Sequence, residues 1–137
     1  MGHSTDIDLL RKRMAGNWKA LALPGVPLLY DNAKAGTSLP STFVRFSVRP
    51  SSETQRNLGN DRVRVVCQGR VWIQIAVPVG TPDAEAWAIA DKAAGIFARW
   101  NSPDGSLRCS VVESNVVPDD KHYVIALNVF YEIQRTT

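Results

Sequence analysis

From residue 62 to residue 77, apolar and polar positions alternate with a period of two. Val63, Val65, Cys67, Gly69, Val71, Ile73, Ile75 and Val77 are apolar or glycine. Arg62, Arg64, Val66, Gln68, Arg70, Trp72, Gln74 and Ala76, the positions between them, are mostly polar or mixed. This pattern predicts a strand with one face buried and the other turned outward. At roughly 3.3 Å per residue such a strand spans about 50 Å. A compact chain of 137 residues is only about 37 Å across. The run must therefore bend, with Gly69 as the expected hinge, or project beyond the core. In the second case a neighbouring subunit is expected to complete the arm, because something must cover Val63, Val65 and Cys67.

Other patterns supply the remaining elements. Ile7, Leu10, Met14 and Trp18 recur at helical spacing, with Ser4 or Thr5 as the expected cap and Arg11, Lys12 and Arg13 expected to face water. Pro24, Gly25, Pro27, Gly36 and Pro40 break up residues 21–41, which read as an irregular connection with Leu28 to Tyr30 tucked against the body. Val44, Phe46 and Val48 share one face of a strand over residues 42–49, with Phe43, Arg45, Ser47 and Arg49 on the other. The polar stretch Pro50 to Asn60 is expected to be a mobile hairpin loop. Thr81-Pro82-Asp83 predicts a helix start with a capping hydroxyl and proline at the first position, and Trp87, Ala90, Ala94, Phe97 and Trp100 carry its apolar face. A strand then begins at Leu107, Cys109 and Val111. The last one alternates through Tyr123, Ile125, Leu127, Val129, Tyr131 and Ile133.

The expected order is α-β-β-α-β-β in a single domain over residues 1–137. It implies an α+β fold: an antiparallel-rich sheet, two helices packed on one face, and a long β-hairpin arm.

Composition adds little except through the placement of charge. The chain is 45% hydrophobic and 21% charged, in the range of globular proteins. No run approaches the ~18 apolar residues of a membrane-spanning helix, so no membrane partner is expected and the cytosol is the expected compartment. Cys67 and Cys109 read as buried free thiols. The net charge of +3 is concentrated in one segment. Residues 41–70 contain Arg45, Arg49, Arg56, Arg62, Arg64 and Arg70 against Glu53 and Asp61, a balance of +4, which leaves −1 for the rest.

Few residues suggest reaction chemistry. No two glycines lie within three residues of each other, so neither a dinucleotide fingerprint nor a phosphate-cradling loop is present. There is no G-x-S-x-G elbow and no paired-cysteine or His-x-x-x-His spacing. Asp119, Asp120 and His122 read as turn residues. With no nucleophile, base and orienting group that converge, no enzyme activity, cofactor or metal is expected. The arginine segment has three readings: a solvated edge that resists aggregation, a protein–protein contact, or a nucleic-acid surface. Against the last there is no ribonucleoprotein-type aromatic motif and no basic recognition helix. Trp72, between Arg70 and Gln74 in the outward series, fits either an interface or a site beneath a helix.

An ordered series of segments runs Pro27-Leu28-Leu29-Tyr30-Asp31-Asn32-Ala33, Pro40-Ser41-Thr42-Phe43-Val44-Arg45, Gly69-Arg70-Val71-Trp72-Ile73-Gln74-Ile75, then Pro78-Val79-Gly80 leading into Ala86 to Phe97. In this order the chain resembles the tail-terminator-like proteins of tailed bacteriophages and prophages. The resemblance extends from the first helix to the final strand. It departs at Thr81-Pro82, where the family often carries a second glycine. It implies a small α+β subunit that forms a hexameric ring, caps the tail tube, ends tube polymerisation and offers a surface to head-completion or neck proteins. The implied partners are other copies of the chain, the tail-tube protein and a neck protein. The implied locations are the virion tail and, during assembly, the bacterial host cytoplasm. The family carries no cofactor and no catalytic residue. Another neck or tail-completion role is the neighbouring alternative, and a basic nucleic-acid-binding domain the more distant one. The six arginines at 45, 49, 56, 62, 64 and 70 are the candidate assembly residues on this chain's own pattern.

Overall fold

The alternating run forms one continuous strand. A computed structural model of the chain describes residues 3–21, 26–30, 42–59, 62–103, 105–117 and 122–136. Its elements are α1 (His3–Leu21), β1 (Leu28–Tyr30), β2 (Phe43–Gly59), β3 (Arg62–Pro78), α2 (Asp83–Phe97), β4 (Leu107–Val117) and β5 (His122–Thr136). The five strands form one sheet in the order β1-β2-β3-β5-β4, in which only β1 pairs in parallel. The fold is α+β, and both helices lie against the same side of the sheet.

The core follows the period-two reading. Val71, Ile73, Ile75 and Val77 of β3 meet Ile125, Leu127, Val129, Tyr131 and Ile133 of β5, together with Val44 and Phe46 of β2. From the helix layer come Leu10, Met14 and Trp18 of α1, and Ala86, Ala90, Ala93, Ile96 and Phe97 of α2. The three small alanines let α2 approach the strands closely, and Phe46 stacks on Phe97 with ring centroids 6.0 Å apart. Each fully buried large side chain contributes about 1.5–3 kcal/mol, so this layer is the main source of stability.

Several boundaries differ from the sequence expectation. Leu28–Tyr30 is a strand, β1, with Leu28 beside Val44 and Tyr30 beside Phe46. A three-residue strand shows no periodicity, which is why the pattern missed it. Residues 50–59 are not a hairpin loop: β2 continues through them, paired to β3 as far as Gly59 opposite Arg62. Pro50 is accommodated because a bulge follows it, between Pro50 and Ser52, where a missing N–H does least harm. Ser4 and Thr5 lie within the helix rather than at its cap. At α2 the N-cap is Pro82, with no side-chain cap hydrogen bond, so the Thr81 hydroxyl does not cap the helix.

Arg13 is the largest departure on α1. It does not face water. Its Nε and Nη2 donate to the Ile96 carbonyl at 3.0 and 2.8 Å, and its guanidinium lies 4.6 Å from the Trp100 ring centroid. A cation thus satisfies one of the carbonyls left open at the end of α2, where the helix dipole also favours it. The chain leaves α2 through Arg99, whose φ of 55° is left-handed, a conformation that non-glycine residues adopt at some cost.

At about 3.3 Å per residue, the length of β3 exceeds the width of a compact core. Its first half projects, but not as a bare hairpin. The end of β5 runs alongside, pairing Tyr131 with Gly69 and Thr136 with Arg64, so the arm has three strands drawn from one chain. Cys67 is buried within this chain and Val65 packs partly against the same core. No neighbouring subunit is therefore needed to cover these two. The side chain of Val63 lies outside the described residues.

Gly69 is not a fold-back point, since β3 runs unbroken through it. Its absent side chain serves Tyr131 instead. A Cβ at residue 69 would stand 2.5 Å from Cζ and 2.7 Å from Cε1 of the tyrosine. The strands around this pair are irregular, with bulges between Pro50 and Ser52 and between Cys109 and Val112. After the second bulge Val112 packs against the core, while the side chain of Val111 lies outside the described residues.

Candidate assembly surface

The side of the sheet away from the helices is the distinctive surface. Alternation along β2, β3 and β5 directs Phe43, Arg45, Ser47 and Arg49, then Gln68, Arg70, Trp72, Gln74 and Ala76, then Ala126, Asn128, Phe130 and Glu132 to it. No described helix or strand lies over this side. Arg49, Gln68 and Arg70 are exposed and Arg45, Trp72, Gln74, Asn128 and Phe130 half-buried, while Phe43, Ser47, Ala76 and Ala126 are buried.

Arginine and aromatic side chains interleave here. The Arg49 guanidinium is 4.0 Å from the Trp72 ring centroid, Arg70 is 4.8 Å from that of Phe130, and Arg45 is 5.7 Å from that of Phe43. Each stack contributes about 0.5–1 kcal/mol at an exposed site. Arg49 and Arg70 are directly opposed in the β2–β3 ladder. Like charges so placed repel by roughly 0.2–1 kcal/mol. Each head rests over a ring on the next strand of the sheet, Arg49 over Trp72 on β3 and Arg70 over Phe130 on β5. A guanidinium seated over a ring keeps its planar fork of donors, which suits a carboxylate or phosphate.

Four of the six sequence candidates have described side chains: Arg45, Arg49, Arg64 and Arg70. By strand parity all four belong to the helix-free side. Arg56 is opposite Arg64 and Arg62 opposite Gly59 in the ladder, while the side chains of Arg56 and Arg62 lie outside the described residues. Sequence reasoning flagged Trp72 but missed Phe130. The available signal was a large aromatic among the outward positions of the last strand. Asp119 and Asp120 lie outside the described residues, and the His122 ring packs edge-on to Phe43 at 5.5 Å.

A shallow cleft of about 380 Å³ opens beside the stacks, lined by Ser51, Gln68, Arg70, Ser110, Phe130 and Glu132 among others. The bulged Ser51 donates its hydroxyl to the Gln68 carbonyl at 3.1 Å. The Trp72 Nε1 is buried and has no hydrogen-bond partner among the described residues. A buried donor without an acceptor is costly.

On the helix side, Tyr131 is buried, and its hydroxyl likewise has no partner among the described residues. Burial, reinforced by the neighbouring thiols of Cys67 and Cys109, pushes its pKa up to about 12. Burial also pushes Cys109 up to about 12, partly offset by Arg13, and raises Cys67, helped by Glu53. Neither cysteine is in a disulfide. They lie on β3 and β4 with β5 between, about 10 Å apart at the usual strand spacing, too far for a disulfide. Protonated, buried thiols of this kind are inert. Among the described residues no group of three or more His, Cys, Asp or Glu is placed to hold a metal, and no helix is long and apolar enough to cross a membrane.

No protein-family model matches the chain, and no curated protein matches it significantly. One solved structure, whose name is an identifier that states no function, superposes over 93% of this chain and 95% of its own with a TM-score of 0.63 at 19% identity. At that identity the likeness shows the fold alone, an α+β domain with helices against its sheet.

Proposed function

We propose that this chain is a tail-terminator-like assembly protein of a tailed phage or prophage. It works by forming a ring, hexameric in the family it resembles, that caps the tail tube, ends tube polymerisation and joins the tail to the neck. On this reading its partners are other copies of itself, the tail-tube protein and a head-completion protein. Its locations are the host cytoplasm during assembly and the virion tail afterwards. It performs no chemistry. The ordered series of segments from Pro27 to Phe97 suggests the family. The observation that carries the reading is the open sheet side, where Arg49 and Arg70 are held on Trp72 and Phe130. Arginine and tryptophan are enriched where protein interfaces are strongest.

The test is to mix the purified chain with the tail-tube protein of the same phage and weigh the products by native mass spectrometry. The expected result is a ring of several copies on the tube end. A chain that stays monomeric and ignores the tube contradicts the reading.

One observation favours a second reading. An open sheet carrying aromatic rings is also how some proteins stack single-stranded bases. Here, however, guanidinium groups already lie over Trp72 and Phe130. Salt-sensitive binding to single strands in the absence of tail proteins would favour this alternative.

A further inference from the structure

We infer that the occupant of the open sheet side is the α2 entry corner of a second copy, docked head to tail. This rests on the proposal that the chain assembles with itself, and it names the two surfaces that meet. A two-fold contact centred on Arg49 and Arg70 would set these arginines against the same arginines of the second copy. Their guanidinium groups call for an acidic surface. The entry to α2 provides one, with Asp83 and Glu85 exposed in the first turn of the helix. Beside them stands Val79, 64% exposed, the most exposed large hydrophobic side chain among the described residues, with Pro82 also exposed. An apolar knob flanked by two carboxylates matches a surface of aromatic rings flanked by guanidinium groups. Arg–carboxylate pairing would then engage their planar forks of donors.

The corner belongs to the β3–α2 connection, whereas the arginines lie on the helix-free side of the sheet. A contact between two different patches is heterologous, and it closes into a ring when its rotation divides a full turn.

The test uses two double variants of the full chain, R49E/R70E and D83K/E85K. All four side chains are exposed, so each variant is expected to fold, which circular dichroism and thermal melting check. In sedimentation and native mass spectrometry each variant alone should lose self-association by about tenfold or more, the scale of close interfacial charge pairs. Mixed one to one they should regain self-association, because each meeting of unlike variants joins either a wild-type contact or one with both charges reversed. Wild-type assemblies should weaken as salt rises. An oligomer that survives either reversal, a wild type that is monomeric at every concentration, or a one-to-one mixture that stays monomeric overturns the docking assignment. Failure of the functional reading appears elsewhere: a wild type that self-associates through these patches yet ignores the tail tube keeps the assignment and refutes the tail role.

Discussion

Gly69 and Tyr131 are directly paired across β3 and β5, and the tyrosine ring occupies the place where a side chain at residue 69 would stand. Gly69→Ala is therefore expected to destabilise the chain by about 1–3 kcal/mol, the range for overpacking a filled site. Tyr131→Phe should be neutral or slightly stabilising, because it removes a buried hydroxyl with no described partner. Urea denaturation of both variants checks the pair. A tolerated alanine at 69, or a large loss in the phenylalanine variant, would show that the ring is held differently.

Alkaline pH should unfold the chain through the same cluster. Cys109 is raised from 9.0 and Tyr131 from 10.0, each to about 12. Below pH 9 both groups are protonated in folded and unfolded chains, and their contribution is constant. Above it the unfolded chain releases protons that the folded chain retains, so stability falls from about pH 9 until about pH 12. Urea midpoints measured across this window in wild type and Cys109→Ala should show a shallower decline in the variant. Parallel declines would mean that Cys109 does not titrate differently in the two states.

Arg13 ties α1 to the end of α2. Arg13→Ala should destabilise by about 1.5–3 kcal/mol, the value of a hydrogen bond to a charged group. Arg13→Lys should restore only part of it, since lysine lacks the planar fork that reaches Ile96 while lying over Trp100. Full rescue by lysine, read from denaturation midpoints, would reduce the role of Arg13 to its charge.

On the arm, Arg62→Glu combined with Arg64→Glu should weaken ring or tube association about tenfold. The subunit should stay folded, which circular dichroism checks. An unchanged mass distribution in native mass spectrometry would remove these two arginines from the interface.

Periodicity made some elements legible and hid others for physical reasons. β3 and β5 each bury one side along their length, so Val71 to Val77 and Tyr123 to Ile133 announced their facing directly. The outer half of β2 was read as a loop because Ser51 to Gln55 are exposed, leaving no apolar alternation to detect. Its bulge after Pro50 also shifts the phase of the strand by one residue. That shift aligns Arg56 with Arg64, a relation that spacing along the sequence could not reveal. The arginines were conspicuous in composition, but their seats were not. Arg49 rests on Trp72 and Arg70 on Phe130, and both pairings depend on the ladder register and side-chain direction. Arg13 was assigned to water because its partner, Ile96, is 83 residues away in the chain.

The central claim is that this subunit ends tail growth by capping the tube. Electron microscopy of tails assembled in cells lacking the protein tests it most directly. Tubes of irregular, excessive length that fail to join heads are the expected result, with normal length restored by the wild-type chain and not by R49E/R70E. Tails of normal, uniform length in its absence would contradict the claim.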